Sequence, residues 1–234
     1  KSVYFSLYCK KVFKNLINIH IQNPKISSKN FNFVISPNHD NINGSNIINS
    51  VGALHHINKN NKSTNQNLVT CIIGGDNQHY HFDNNEANKL CNKLIEIKNN
   101  QKDMKLNIIT SRRTSDKVKK ILIKKLENIA KIWTGEGKNP YIESIQKSSF
   151  FIVTSDSTSM ISEAAISGKP IYVYHLAFKR KSKRIENFHK EFSELGITKD
   201  IINFNHLSDW TYNSLNESER IAIIIKKRII KENI

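Results

Sequence analysis

The 234 residues are 38% apolar and 24% charged, enough for a sizeable core and ordinary for a soluble globular chain. No apolar run approaches the roughly 20 residues that span a bilayer, and residues 1–12 lack the apolar centre and cleavage site of a signal peptide. The formal charge of +16 is spread along an Asn-, Lys- and Ile-rich chain, which argues against a specific nucleic-acid partner, because such contacts need a basic face or stripe.

Taken in chain order, a helix is expected over residues 4–15, a short strand over 17–21, and a second strand over 31–35 that Pro37 stops. The chain does not begin with Met, so its start is expected upstream. Residues 51–57 offer a further strand. The stretch 58–67 contains no apolar residue and is the linker candidate, which makes residues 1–60 an amino-terminal lobe.

From Leu68 a strand–helix alternation begins. Leu68-Val69-Thr70-Cys71-Ile72-Ile73 suits a strand buried on both faces of a parallel sheet, and it ends at Gly74-Gly75. Asp83 and Glu86 fit a helix start, and Ala87, Leu90, Cys91, Leu94 and Ile95 recur at helical spacing. A strand at 106–110, a helix capped by Ser115, a strand at 130–133 and a short helix opened by Pro140 follow. The clearest unit is a strand at 149–154, a polar turn, a helix over 160–167 ended by Gly168 and Pro170, and a returning strand at 171–174. A final helix is expected over 217–231. This alternation implies an α/β fold with a doubly wound parallel sheet over 61–205, and a terminal segment, 206–234, that packs back on the amino-terminal lobe.

Cys9, Cys71 and Cys91 form no C-x-x-C pair. Cys71 and Cys91 fall on apolar stripes and read as buried thiols of a reducing compartment, so a cytoplasmic protein is expected. The basic clusters at 179–184 and 226–228 read as solvated surface, or as contacts to an anionic membrane surface or acidic ligand.

In open parallel sheets, ligands sit beyond the carboxyl ends of the strands. Three such ends carry polar residues here: Gly74-Gly75-Asp76-Asn77, Ser111-Arg112-Arg113-Thr114 and Ser155-Asp156-Ser157-Thr158-Ser159. A run of hydroxyls at a helix start suits a pyrophosphate, whereas a plain cap needs only one. Glu163, one turn beyond Ser159, is placed to accept ribose hydroxyls or to be solvated helix surface. Arg112 or Arg113 offers a planar fork for phosphate oxygens. Gly74 and Gly75 permit close approach of a ligand or a tight turn. Pro37-Asn38-His39-Asp40 offers His39 or Asp40 as a general base facing the cleft, or is a structural turn. His79 and His81 lack an evident third metal ligand, so neither metal nor cofactor is expected. The absence of G-x-S-x-G, a Walker loop and G-x-G-x-x-G argues against a hydrolase elbow, a P-loop NTPase and an ordinary dinucleotide enzyme.

Ile21-Gln22-Asn23-Pro24, Pro37-Asn38-His39-Asp40, Ile73-Gly74-Gly75, Thr110-Ser111-Arg112-Arg113-Thr114, and the run from Thr154 through Glu163 with Gly168-Lys169-Pro170 resemble the elongated-mitochondria-type mitochondrial fission protein family. The motifs occur in order over residues 17–190. The resemblance implies a GT-B fold related to glycosyltransferases that use nucleotide-sugar donors, in which a serine-rich turn, a helix glutamate and a Gly-Lys-Pro surround the donor. Against that family pattern the amino-terminal lobe of this sequence is expected to be truncated, lacking its first strand and Gly-rich loop. It further implies a metal-independent transferase that moves a sugar from a nucleotide diphosphate to a lipid-linked or other cell-envelope acceptor at the inner face of a membrane. The alternative is a non-catalytic adaptor, as the plant members are, which recruits a partner protein to a membrane.

Overall fold

The computed structural model describes residues 2–58 and 67–232. The chain divides into two compact units, Lys1–His56 with Asn216–Ile234, and Ile57–Leu215.

In the first unit, α1 (Ser2–Val12) precedes β1 (Ile19–Ile21), β2 (Phe33–Pro37) and β3 (Ile47–Ser50), which pair in parallel in that order. Alternation along β2 sends Phe33 and Ile35 to one face beside Ile48, and Val34 to the other beside Ile47. Val3 and Leu7 of α1 pack on the Val34 face. The strand expected over 51–57 does not form, because the chain pairs earlier, at β3, and then turns. Gly52 takes a left-handed φ of 71°, and the Ser50 hydroxyl donates to the Gly52 carbonyl at 2.9 Å. Of the expected linker, residues 59–66 lie outside the described residues.

The second unit is built on β4 (Leu68–Ile73), β5 (Lys105–Thr110), β6 (Ala130–Trp133), β7 (Phe150–Thr154), β8 (Ile171–Tyr174) and β9 (Thr198–Asp200). They form one parallel sheet in the order β6-β5-β4-β7-β8-β9, so the winding direction reverses between β4 and β7. Between the strands run α2 (Asn84–Asn100), α3 (Asp116–Leu126), α4 (Tyr141–Lys147), α5 (Thr158–Ala165) and α6 (Lys183–Glu194). Cys71 and Ile73 share one core with Leu90 and Leu94 of α2 and Val118 and Leu122 of α3. Ile72 points to the opposite face by alternation, and α4 and α5 pack against β4, β7 and β8.

Three helix starts show their caps directly. Asp83 Oδ1 accepts from Glu86 N at 2.9 Å, Ser115 Oγ from Val118 N at 3.4 Å and Ser157 Oγ from Met160 N at 3.5 Å. The helix expected over 160–167 therefore begins two residues earlier, and Thr158 and Ser159 belong to its first turn. α6 and β9 form where the sequence carries no expected helix or strand. Ile185, Phe188 and Phe192 of α6 are buried at helical spacing behind the basic cluster at 179–184.

Residues 206–215 fall in the second unit, and the chain then returns to the first as α7 (Glu217–Glu232). Ile221 and Ile225 of α7 join Phe33, Ile35 and Ile48. Its start is anchored by Glu217, whose buried carboxylate accepts from Val51 N at 2.8 Å and from Arg220 at 2.7 and 2.6 Å. Among the described residues no helix is long and apolar enough to cross a membrane.

Candidate functional site

Parallel pairing places the carboxyl ends of β4, β5, β6 and β7 on one rim, and the loops that leave them meet there. Immediately after β4, Gly74 N donates to Thr154 Oγ1 at 2.8 Å and Gly75 N to Asp156 Oδ2 at 3.0 Å. The space where a Cβ on Gly74 would lie is filled by the Asp156 carboxylate, and that beside Gly75 by the Arg113 backbone. The close approach allowed by the two glycines is thus to the protein's own chain. Asn77 continues the junction by donating to the Asp156 carbonyl at 3.1 Å.

After β5, Ser111 N donates to the Ile73 carbonyl at 2.8 Å and Thr114 Oγ1 to the Gly74 carbonyl at 2.5 Å. Here the two arginines separate. Arg113 donates to Asp156 Oδ2 at 2.8 Å, whereas Arg112 is exposed and forms no ion pair among the described residues. Asp156 also accepts from Thr154 Oγ1 at 2.6 Å. Burial raises its pKa above the usual carboxylate value, against the opposing pull of Thr154, Gly75 and Arg113. Ser155 is buried and its hydroxyl oxygen accepts from Leu176 N at 3.0 Å. Ser155, Asp156 and Arg113, all expected to touch a ligand, have side chains engaged in the fold itself. Ser157 caps α5, Thr158 is half-buried and Ser159 is exposed.

On the same rim lies a cleft of about 910 Å³. Ile72 and Ile109 line it with Ser111, Arg112, Trp133, Tyr141, Met160 and Glu163. Tyr141, the first residue of α4, donates from its hydroxyl to Glu163 Oε2. Burial, reinforced by the Glu163 charge, raises the phenol pKa, so the proton remains on tyrosine. Tyr141, Trp133 and the 134–139 loop are not among the site residues expected from the sequence. Their signal was the fourth strand end of the same sheet, followed by Gly135, Gly137 and Pro140.

The remaining candidates lie elsewhere. His39 and Asp40 belong to the first unit, in a single 3-10 turn after β2. His39 is buried, and Asp40 accepts from Ser36 Oγ at 3.3 Å. His79 Nδ1 lies 3.3 Å from the Arg180 carbonyl, and Lys179 of the basic cluster pairs with Asp76. Among the described residues, no group of three His, Cys, Asp or Glu side chains is placed to hold a metal ion.

A family model described as mitochondrial fission ELM1 matches residues 1–229. Mitochondrial fission protein ELM1 of Arabidopsis thaliana is 30% identical over 168 residues, 69% of this chain and 38% of the relative. An uncharacterised protein of Rickettsia prowazekii (strain Madrid E) is 33% identical over 168 residues, 68% of this chain and 46% of the relative. The matches thus span less than half the length of these curated relatives. Among solved structures, the S. aureus MnaA–UDP co-structure superposes with a TM-score of 0.51 at 11% identity, covering 85% of this chain and 65% of that one. At that identity the likeness is one of fold, which is GT-B-like with Rossmann-type parallel sheets.

Proposed function

The chain belongs to the mitochondrial fission ELM1 family, and from that premise we propose that its second unit binds a nucleotide-diphosphate sugar, as a glycosyltransferase-like protein would. One observation carries this reading. Arg112, without an ion pair among the described residues, and Glu163 line a single cleft at the carboxyl ends of parallel strands, where α5 also begins. The guanidinium supplies a fork for the diphosphate, and the first turn of α5, whose Met160 and Glu163 line the cleft, supplies further donors from Ser157, Thr158 and Ser159. Glu163 offers an acceptor for ribose hydroxyls. The S. aureus neighbour of the same fold was solved with UDP, which agrees with this assignment.

Transfer of the sugar to a lipid-linked or other envelope acceptor would follow if donors on this rim neutralise the departing diphosphate. A thermal-shift and calorimetric screen of nucleoside diphosphates and nucleotide sugars tests the binding step. Stabilisation by a nucleotide diphosphate supports it. The Arabidopsis relative's name favours a second reading, an adaptor that recruits a partner protein to a membrane. No shift with any nucleotide would turn the assignment to that adaptor.

A further inference from the structure

A glutamate on a helix that borders an open cleft has three freely turning side-chain torsions, and its carboxylate samples many positions. Glu163 is restrained. The Tyr141 hydroxyl reaches across the cleft and donates to Oε2, while Oε1 has no hydrogen-bond partner among the described residues. Tyr141 is itself well placed to act as a fixed post. Its ring has two torsions, its backbone N–H donates to Asn139 Oδ1 at 2.9 Å, and α4 begins immediately behind Pro140.

A carboxylate only accepts hydrogen bonds, so its unoccupied oxygen recognises a donor. In a nucleotide the donors suited to it are the two ribose hydroxyls. We infer that Tyr141 is a positioning residue that holds Glu163 for the ribose diol, so that the cleft selects ribonucleoside diphosphates over those lacking the hydroxyls. This rests on the nucleotide reading above and adds a substrate class to it. Tyr141 is assigned no contact with the ligand; it acts through Glu163.

Calorimetry on the full chain with uridine 5′-diphosphate and its 2′,3′-dideoxy analogue tests the inference, because the ratio of the two affinities is internal to each protein and insensitive to its folded fraction. Wild type should favour the ribonucleotide by about tenfold, the worth of one hydrogen bond to a charged acceptor. Glu163→Gln should bring the ratio close to one. Tyr141→Phe, which keeps the ring, should reduce it severalfold, and Tyr141→Leu should do the same. A preference that survives both Tyr141 variants but disappears in Glu163→Gln overturns the role of Tyr141 and leaves the nucleotide reading standing. Equal affinities in wild type overturn the ribose selection. Absence of binding by uridine 5′-diphosphate and equally by the adenosine, guanosine and cytidine diphosphates overturns the nucleotide reading together with the inference.

Discussion

The carboxylate of Asp156 occupies the position into which a side chain on Gly74 would project, and it does so while bonded to Gly75, Thr154 and Arg113. Three loops from β4, β5 and β7 are thereby joined through one acid. Gly74→Ala should overpack this junction and cost about 2 kcal/mol. In an Asp156→Ala background the added methyl meets no carboxylate, so the same substitution should cost much less. Denaturant melts of the two single variants and the double variant measure the difference. Equal costs in both backgrounds would show that Asp156 is not what excludes the side chain.

Neighbouring arginines should respond differently. Arg113→Ala removes the partner of a buried carboxylate and should lower stability by about 1–2 kcal/mol, a value discounted because the arginine side chain is 43% exposed. Arg112→Ala breaks no ion pair among the described residues and should leave the melt unchanged. It should weaken nucleotide-diphosphate binding by roughly ten- to a hundredfold, the range for a lost hydrogen bond to phosphate. Ser159→Ala belongs with Arg112, whereas Ser157→Ala should also lose about 1 kcal/mol as the cap of α5. Parallel melts and titrations distinguish the two groups. A loss of stability in Arg112→Ala, with binding intact, would reverse the assignment.

Glu217 accepts from Val51 N and from Arg220 while buried to 6% exposure. Glu217→Ala leaves the Val51 amide and the guanidinium without this acceptor, and should destabilise the first unit by about 2–3 kcal/mol. Glu217→Gln retains an acceptor for the Val51 amide and should cost less. Hydrogen exchange at the β3 amides reads the effect locally, and protection unchanged in Glu217→Ala would exclude it.

The cysteines should separate by burial. Burial pushes the Cys91 thiol up to about 11 and raises that of Cys71 as well, so both remain protonated and enclosed at pH 8. Cys9 is only partly buried. A disulfide-exchange reagent at pH 8 should rapidly titrate one thiol per native chain and three in denaturant. Rapid reaction of two or three thiols in the native protein would contradict the packing of β4 against α2.

Much of this protein was legible because it depends on short stretches of chain. Leu68–Ile73 reads as a buried strand from its own apolar run, and Asp83 and Ser115 as caps from the residues that follow, since both signals arise within one turn or one strand. The loops of the site were legible for the same reason: polar residues directly after apolar strands lie at the strand ends whichever strands pair. Tertiary structure decided which of those residues remain available. Arg112 and Arg113 are neighbours of identical chemistry, and only the approach of β7 to β4 gives Arg113 its partner 43 residues away in Asp156. The same holds for Tyr141 and Glu163, 22 residues apart, and for the pairing of β9 with β8, whose Thr198–Asp200 has no apolar pattern of its own. A side chain's availability depends on what the folded chain brings within hydrogen-bond reach, and sequence spacing alone does not contain that distance.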